Sequence, residues 1–225
     1  MKSKSTVIAA ELAAVIAFNI LFPIIALGSG IEILFYLGYA TALGSGAYLI
    51  NDQRLPRALA VVFAALTFSL GVWNALLPFQ LWSSILWGAS LVGLQLILIY
   101  GLLRFIFNVR HVTIDVIVAG ITVYLLLGTL FVPIYTQLEA VLPGSFSINT
   151  AMSEMVSVSI MWTRFLYFSY ATLTTLGYGD ITPISGVAQA LSTTEAIVGV
   201  LYIAIFMARL VGAYASDLRR MEPLE

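Results

Sequence analysis

Six apolar stretches, residues 6–27, 31–50, 56–77, 81–103, 112–137 and 185–213, occupy most of this chain, each near the roughly 20 residues a helix needs to cross a hydrocarbon core about 30 Å thick. Unpaired backbone amides are not tolerated in hydrocarbon, so runs of this length are helices. They are too long for barrel strands and lack their alternation. The interruptions have local causes. Gly28-Ser29-Gly30, the stretch from Asn51 to Pro56, Leu77-Pro78 and the stretch from Arg104 to His111 each place helix breakers or charges at a span edge. Of the 225 residues 61% are hydrophobic and only 9% charged, against about 25% charged in soluble domains. A water-soluble globule is excluded, and the fold class is an all-α membrane protein with six transmembrane helices.

Charge position sets the orientation. Lys2, Lys4, Arg54, Arg57, Arg104, Arg110, Arg219 and Arg220 fall on one side of the spans, whereas the opposite loops carry Arg164. The positive-inside rule then predicts a multi-pass protein of the cell membrane with both termini cytoplasmic. Trp73, Trp82, Trp87 and Trp162 lie near span ends on the other side and read as interfacial anchors. The basic start, apolar run and small residues of 1–30 resemble a signal peptide, but the run exceeds a usual h-region and contains Glu11, so it reads as a span. A net charge of −1 offers no basic surface for nucleic acid. Zero cysteines exclude thiol catalysis and thiolate metal sites, and the single histidine, His111, removes imidazole clusters. No cofactor and no enzymatic activity are expected.

The fourth run, 81–103, contains no Lys or Arg. Each gating charge moved through 100 mV supplies about 2.3 kcal/mol, so this helix supplies essentially nothing to voltage sensing. Residues 1–105 are accordingly read as a four-helix membrane domain that is not a voltage sensor, in which Asn19, Asn74 and Gln95 hydrogen-bond between helices. From the short stretch after the last span, with Arg219, Arg220, Glu222 and Glu225, no attached ligand-binding domain is expected unless the chain is a piece of a longer one.

Between the fifth and sixth runs, 138–184 is too long for a turn and too apolar at its end for a free loop. Residues 138–157 are polar enough to form an external cap, with Pro143-Gly144 as a turn. Trp162 to Thr175 is helical in pattern, but about 14 residues span only roughly 21 Å, so this helix must enter and stop. Next come Thr174, Thr175, Leu176, Gly177, Tyr178, Gly179 and Asp180. Non-helical backbone at membrane depth survives only where protein buries it or water lines it. Gly177 and Gly179 allow left-handed backbone angles at no steric cost, so successive carbonyls can be turned to one side. With several copies around an axis, such a row of oxygens replaces the hydration shell of a monovalent cation, and the short helix points its partially negative end toward the same place.

The string TTLGYGD resembles the selectivity filter of potassium channels, usually T-V/I-G-Y-G-D, with Leu176 where Val or Ile is commoner. The resemblance covers 112–213 as outer helix, pore helix, filter and inner helix, and so implies a pore domain over 106–220, with 221–225 a short cytoplasmic tail. It implies K+ sites formed by the carbonyls of Thr175, Leu176, Gly177 and Tyr178 with the Thr175 hydroxyl. Gly179 and Asp180 form the outer mouth, and Tyr178 is wedged against the pore helix. One chain supplies one filter, so the resemblance implies a homotetramer in the bilayer. Gly199 resembles the hinge glycine of the inner helix, the alternative being a packing glycine. On the same analogy Val200, Ile203 and Met207 line the cavity. Two positions depart from relatives. Ala171 stands where some carry a carboxylate paired with the filter aspartate, so Asp180 needs another partner or water. Tyr167-Phe168 replaces a tryptophan cuff.

Glu195 lies about ten residues, or roughly 15 Å, into the sixth run. A carboxylate there costs about 2.5–3.5 kcal/mol on insertion scales, so it must face protein or water. It is expected to support the filter through a hydrogen bond to the pore helix or a neighbouring subunit, the alternative being inter-helix glue. From another class, Gly177-Tyr178-Gly179-Asp180 also satisfies the G-x-G-D of intramembrane aspartyl proteases, which need a second aspartate to share a proton. Asp115, the one candidate, is predicted at the opposite membrane face. A weakly selective cation channel is the remaining alternative.

Overall fold

The computed structural model describes residues 2–25, 54–77, 80–109, 111–148 and 158–221. The described elements are helices α1 (Lys2–Ile25), α2 (Arg54–Leu76), α3 (Leu81–Asn108) and α4 (Ile114–Val141), strand β1 (Phe146–Ile148), helix α5 (Val158–Leu173), strand β2 (Ile181–Pro183) and helix α6 (Gly186–Met221). The predicted span 31–50 lies outside the described residues, as does the cap beyond Ile148 up to residue 157. Among the described residues four helices are long and apolar enough to cross a membrane, over Pro56–Asn74, Leu81–Asn108, Ile114–Val141 and Gly186–Ala215. The predicted run 6–27 falls in α1, whose apolar stretch over the described residues is the shorter Thr6–Ala17.

α3 begins after Pro78 and leaves helical geometry at Val109, which is extended at φ −78, ψ 130. Thr113, also extended, opens α4, and Asp115 in its first turn faces the positive end of the helix dipole. The short link between them makes α3 and α4 antiparallel neighbours. Their polar pairs keep that register: Gln95 Nε2 donates to Thr129 Oγ1 at 3.0 Å, and one turn-set further along Gln137 Nε2 donates to Ser84 Oγ at 3.2 Å. Pro133 lies inside α4 and has no N–H to offer the Thr129 carbonyl one turn before it. Such a break survives within a buried bundle because neighbouring polar groups take up the slack.

Asn74 exchanges bonds with Ser83 across the α2–α3 corner, the Ser83 hydroxyl donating at 2.5 Å. Asn19 on α1 donates to the Tyr170 hydroxyl of α5 at 2.9 Å, and Tyr170 in turn donates to the Leu125 carbonyl of α4 at 2.9 Å. All three predicted inter-helix amides therefore bridge elements. In hydrocarbon such bonds fix register because no water competes for them.

The four tryptophans divide. Trp73 and Trp82 are exposed and pack on each other with ring centroids 6.2 Å apart, as anchors would. Trp87 and Trp162 are buried and pack on each other at 5.6 Å, which corrects their reading as interfacial anchors. Packing on each other keeps both indoles off the surface. An aromatic cluster of Tyr135, Phe146, Phe165 and Phe168 fills the space beside it, with edge-on contacts of 4.9 to 5.4 Å.

Candidate functional site

The site is built by α5, the segment after it and the first half of α6. α5 has 16 residues, too few to cross at 1.5 Å each. Its last turn closes with Thr174 N–H on the Tyr170 carbonyl at 3.0 Å and Thr175 N–H on the Thr172 carbonyl at 3.0 Å. The chain then runs on without regular structure to β2.

Backbone angles over this segment alternate in hand. Thr175, Gly177 and Gly179 have φ of 58, 55 and 79, and Thr175 is the one non-glycine with positive φ among the described residues. A Cβ at Gly177 or Gly179 would meet nothing within 4 Å, so the left-handed angle, not crowding, demands glycine there. The amides of Leu176 and Gly177 both donate to the Ala171 carbonyl, at 2.8 and 3.1 Å. In a planar trans peptide the carbonyl points opposite to the N–H. The Thr175 and Leu176 carbonyls are thereby turned the same way, off α5 and toward the open side of the chain. Residues 174–180 are all exposed, Tyr178 by 68%.

The outer end is clipped in place. β1 and β2 pair antiparallel, Phe146 against Pro183 and Ile148 against Ile181. The Ser145 carbonyl receives the Ile184 and Ser185 amides at 2.8 and 3.2 Å. The turn that presents Ser145 is held by Glu139 at the end of α4, whose two carboxylate oxygens accept Gly144 N–H at 2.7 Å and Phe146 N–H at 3.1 Å. The predicted Pro143-Gly144 turn is present, with Gly144 at φ 85. The strand pair and the Glu139 clasp escaped sequence reasoning. Two three-residue strands carry no periodic signal, although an acidic residue one turn before Pro-Gly was a usable clue.

Asp180 has a partner despite Ala171. Its Oδ1 accepts the Ile181 amide at 3.1 Å. Tyr167 stacks on Tyr178, centroids 6.2 Å apart and planes 6° from parallel. The residue standing in for the tryptophan cuff thus packs on the tyrosine of the motif.

Behind the segment, Glu195 of α6 is 0% exposed. Tyr135 of α4 donates its hydroxyl to Glu195 Oε2 at 2.5 Å. The Ser169 hydroxyl of α5 meets both Glu195 Oε1 and the Gly128 carbonyl. Neither Ser169 nor Tyr135 was singled out in the sequence, where each is one more small or aromatic residue in an apolar helix. Gly199 lies where an added Cβ would stand 2.4 Å from the Leu173 carbonyl oxygen. That gives it a packing duty against the last turn of α5, and α6 runs helical straight through it.

Val200, Ile203 and Met207 are exposed by 53%, 48% and 52% on α6, a helix little covered by the rest of the chain. Lower down, Arg209 donates to the Val109 carbonyl in the α3–α4 link at 2.5 Å, a tie that sequence reading missed. Among the described residues no group of His, Cys, Asp and Glu could hold a metal ion. The oxygen-rich feature is main chain.

Residues 116–216, from α4 through most of α6, match the model of a family described as "Ion channel". The chain is also 32% identical over 96 residues to the two pore potassium channel c of Oryza sativa subsp. japonica, an alignment covering 43% of this chain and 18% of that protein. The chain therefore spans less than a fifth of the length of this curated relative. The family match runs from α4 to α6, the part of the chain that carries the site, alongside four helices long and apolar enough to cross a membrane among the described residues.

Proposed function

We propose that this chain is the subunit of a potassium-selective channel, in which four identical copies surround one axis and conduct K+ passively. The observation that carries the reading is the alternation of left-handed angles at Thr175, Gly177 and Gly179, with the Leu176 and Gly177 amides turned back onto Ala171. The carbonyls of Thr175, Leu176, Gly177 and Tyr178, with the Thr175 hydroxyl, form the K+ sites, and Asp180 sits at the outer mouth. One copy leaves each oxygen with open space before it; four copies close a ring that replaces hydration water.

In this reading the chain has six spans and α5 is a re-entrant pore helix between the last two. Both termini are cytoplasmic. The exposed face of α6 with Val200, Ile203 and Met207 lines the cavity below the filter, and Gly199 serves first as a contact with α5 and then as a bending point. α3 carries Arg104 only near its end, so open probability depends weakly on voltage. The protease reading loses ground. Asp115 opens α4 and Glu139, whose clasp holds the turn that pairs with the strand following Asp180, lies near its other end, about 36 Å away along the helix at 1.5 Å per residue.

The test is the bi-ionic reversal potential of purified protein in planar bilayers, with Gly177→Ala as control. A K+ preference over Na+ of tenfold or more that the control abolishes is expected. Equal permeability in the parent protein selects the weakly selective alternative and refutes this one.

A further inference from the structure

We propose that Glu195, Ser169 and Tyr135 form a buried clamp that fixes the register of the pore helix, with Ser169 the positioning residue through which α6 and α4 hold the filter in its conducting geometry. The proposal rests on the channel reading above and adds to it the group that keeps the carbonyl row in place.

Three elements meet at one carboxyl. Glu195 comes from α6, Tyr135 from α4, and Ser169 from α5, where its hydroxyl also reaches the Gly128 carbonyl of α4. All three side chains are fully buried. Residues four apart share a helix face, so Glu195 and Gly199 lie on one face of α6 and Ser169 and Leu173 on one face of α5. The polar contact of Glu195 with Ser169 and the close approach of Gly199 to the Leu173 carbonyl therefore lie one turn apart along the same seam. Between them is Ala171, whose carbonyl receives the Leu176 and Gly177 amides. A pore helix pinned at 169 and 173 cannot slide or rotate without taking that carbonyl, and with it the first two oxygens of the row, off position.

The donors also count out in a particular way. A serine hydroxyl has one proton to give, yet Ser169 faces two oxygen acceptors, Gly128 O and Glu195 Oε1. Both contacts are hydrogen bonds at once only when the Glu195 carboxyl is protonated and donates to Ser169 Oγ while Ser169 donates to the Gly128 carbonyl. Tyr135 donates to the other carboxyl oxygen. A glutamine at 195 reproduces this pattern, its amide N–H on Ser169 and its carbonyl toward Tyr135. An alanine reproduces none of it.

The experiment compares Ser169→Ala, Glu195→Gln, Glu195→Ala and Tyr135→Phe with Gln95→Leu in the full-length protein, reading bi-ionic K+/Na+ permeability and thermal stability of the assembly. Gln95→Leu removes an equally buried inter-helix bond that does not touch α5, so it reports general loosening. Expected is a tenfold or greater fall in K+/Na+ permeability ratio for Ser169→Ala and Glu195→Ala, a smaller fall for Tyr135→Phe, and ratios within twofold of parent for Glu195→Gln and Gln95→Leu. Should Ser169→Ala fail to assemble, Tyr135→Phe and the Gln and Ala pair at 195 carry the same comparison. Unchanged selectivity in Ser169→Ala, or in Glu195→Ala, overturns the clamp while leaving the channel reading intact. A fall in Gln95→Leu equal to that in Ser169→Ala also overturns it, by reducing the effect to stability. A parent protein without K+ preference overturns both.

Discussion

Gly199→Ala separates two duties of one glycine. The added Cβ would stand 2.4 Å from the Leu173 carbonyl oxygen, 3.0 Å from Leu173 Cδ1 and 3.2 Å from the Leu173 carbonyl carbon. Restoring an ordinary C···O separation of about 3.3 Å requires a movement of about 0.9 Å between α6 and the end of α5. The obstacle is backbone, so no rotamer change relieves it. Overpacking of this kind costs about 1–3 kcal/mol per site, against which alanine regains about 1 kcal/mol of helix propensity over glycine. Thr175 begins two residues beyond Leu173, so the displacement is delivered directly to the carbonyl row. The expected result is a K+/Na+ permeability ratio at least tenfold below parent and a lowered melting temperature of the assembly, larger side chains at 199 being worse in order of volume. A bending role alone predicts something different: Gly199→Ala would straighten α6 and change open probability at unchanged reversal potential. Parent selectivity and parent stability in Gly199→Ala would refute the steric argument. Rescue by Leu173→Ala would also contradict it, because the clash is with the carbonyl oxygen that this substitution leaves in place.

Three further outcomes follow from the segment after α5, the clasp beside it and the far end of α6. Tyr167→Leu removes the ring that stacks on Tyr178 and should lower the melting temperature of the assembly; an unchanged melting temperature contradicts a supporting role for that contact. Glu139→Gln leaves one acceptor for two backbone N–H groups, at 2.7 and 3.1 Å in the parent, and should cost about 1–3 kcal/mol per chain in thermal unfolding. Arg209→Met keeps much of the aliphatic stem but loses the bond to the Val109 carbonyl, so single-channel open probability should change while the bi-ionic reversal potential does not.

What the sequence exposes about this molecule, and what it hides, follows from the solvent. In hydrocarbon a polar side chain is rare enough to be conspicuous, so Asn19, Asn74, Gln95 and Glu195 announce themselves as groups that must find partners. Each does find one in the structure. The partner, however, is usually a hydroxyl of the kind that apolar helices carry everywhere. Ser169, Thr129 and Tyr170 are indistinguishable by pattern from Thr122 or Thr136, whose hydroxyls return to their own helix. Tryptophan fails as a marker for the opposite reason. Proximity to a span end predicts the headgroup layer, and Trp73 and Trp82 are exposed as that position requires, but Trp87 and Trp162 are buried against each other, so packing wins over interfacial preference. The lengths of helices are legible because bilayer thickness sets them, as the crossing-length α2, α3, α4 and α6 and the short α5 illustrate.

The central segment shows the same division at the scale of single peptide units. Its glycines at 177 and 179 reveal two left-handed positions in advance, since only glycine takes them without strain. The third, at Thr175, is invisible to that rule. An L-residue at φ 58 carries a cost that its own side chain does not relieve, so something else must over-determine it. The Leu176 and Gly177 amides anchored on the Ala171 carbonyl do so from one side, and the seam of α5 on α6 through Ser169 and Gly199 holds Ala171 itself. A strained residue in a row of otherwise permissive ones is where loss of support should first appear. A variant that loosens α5 should therefore disturb Thr175, the innermost position of the row, before it disturbs Gly179, which the β1–β2 clip holds independently from the outer end.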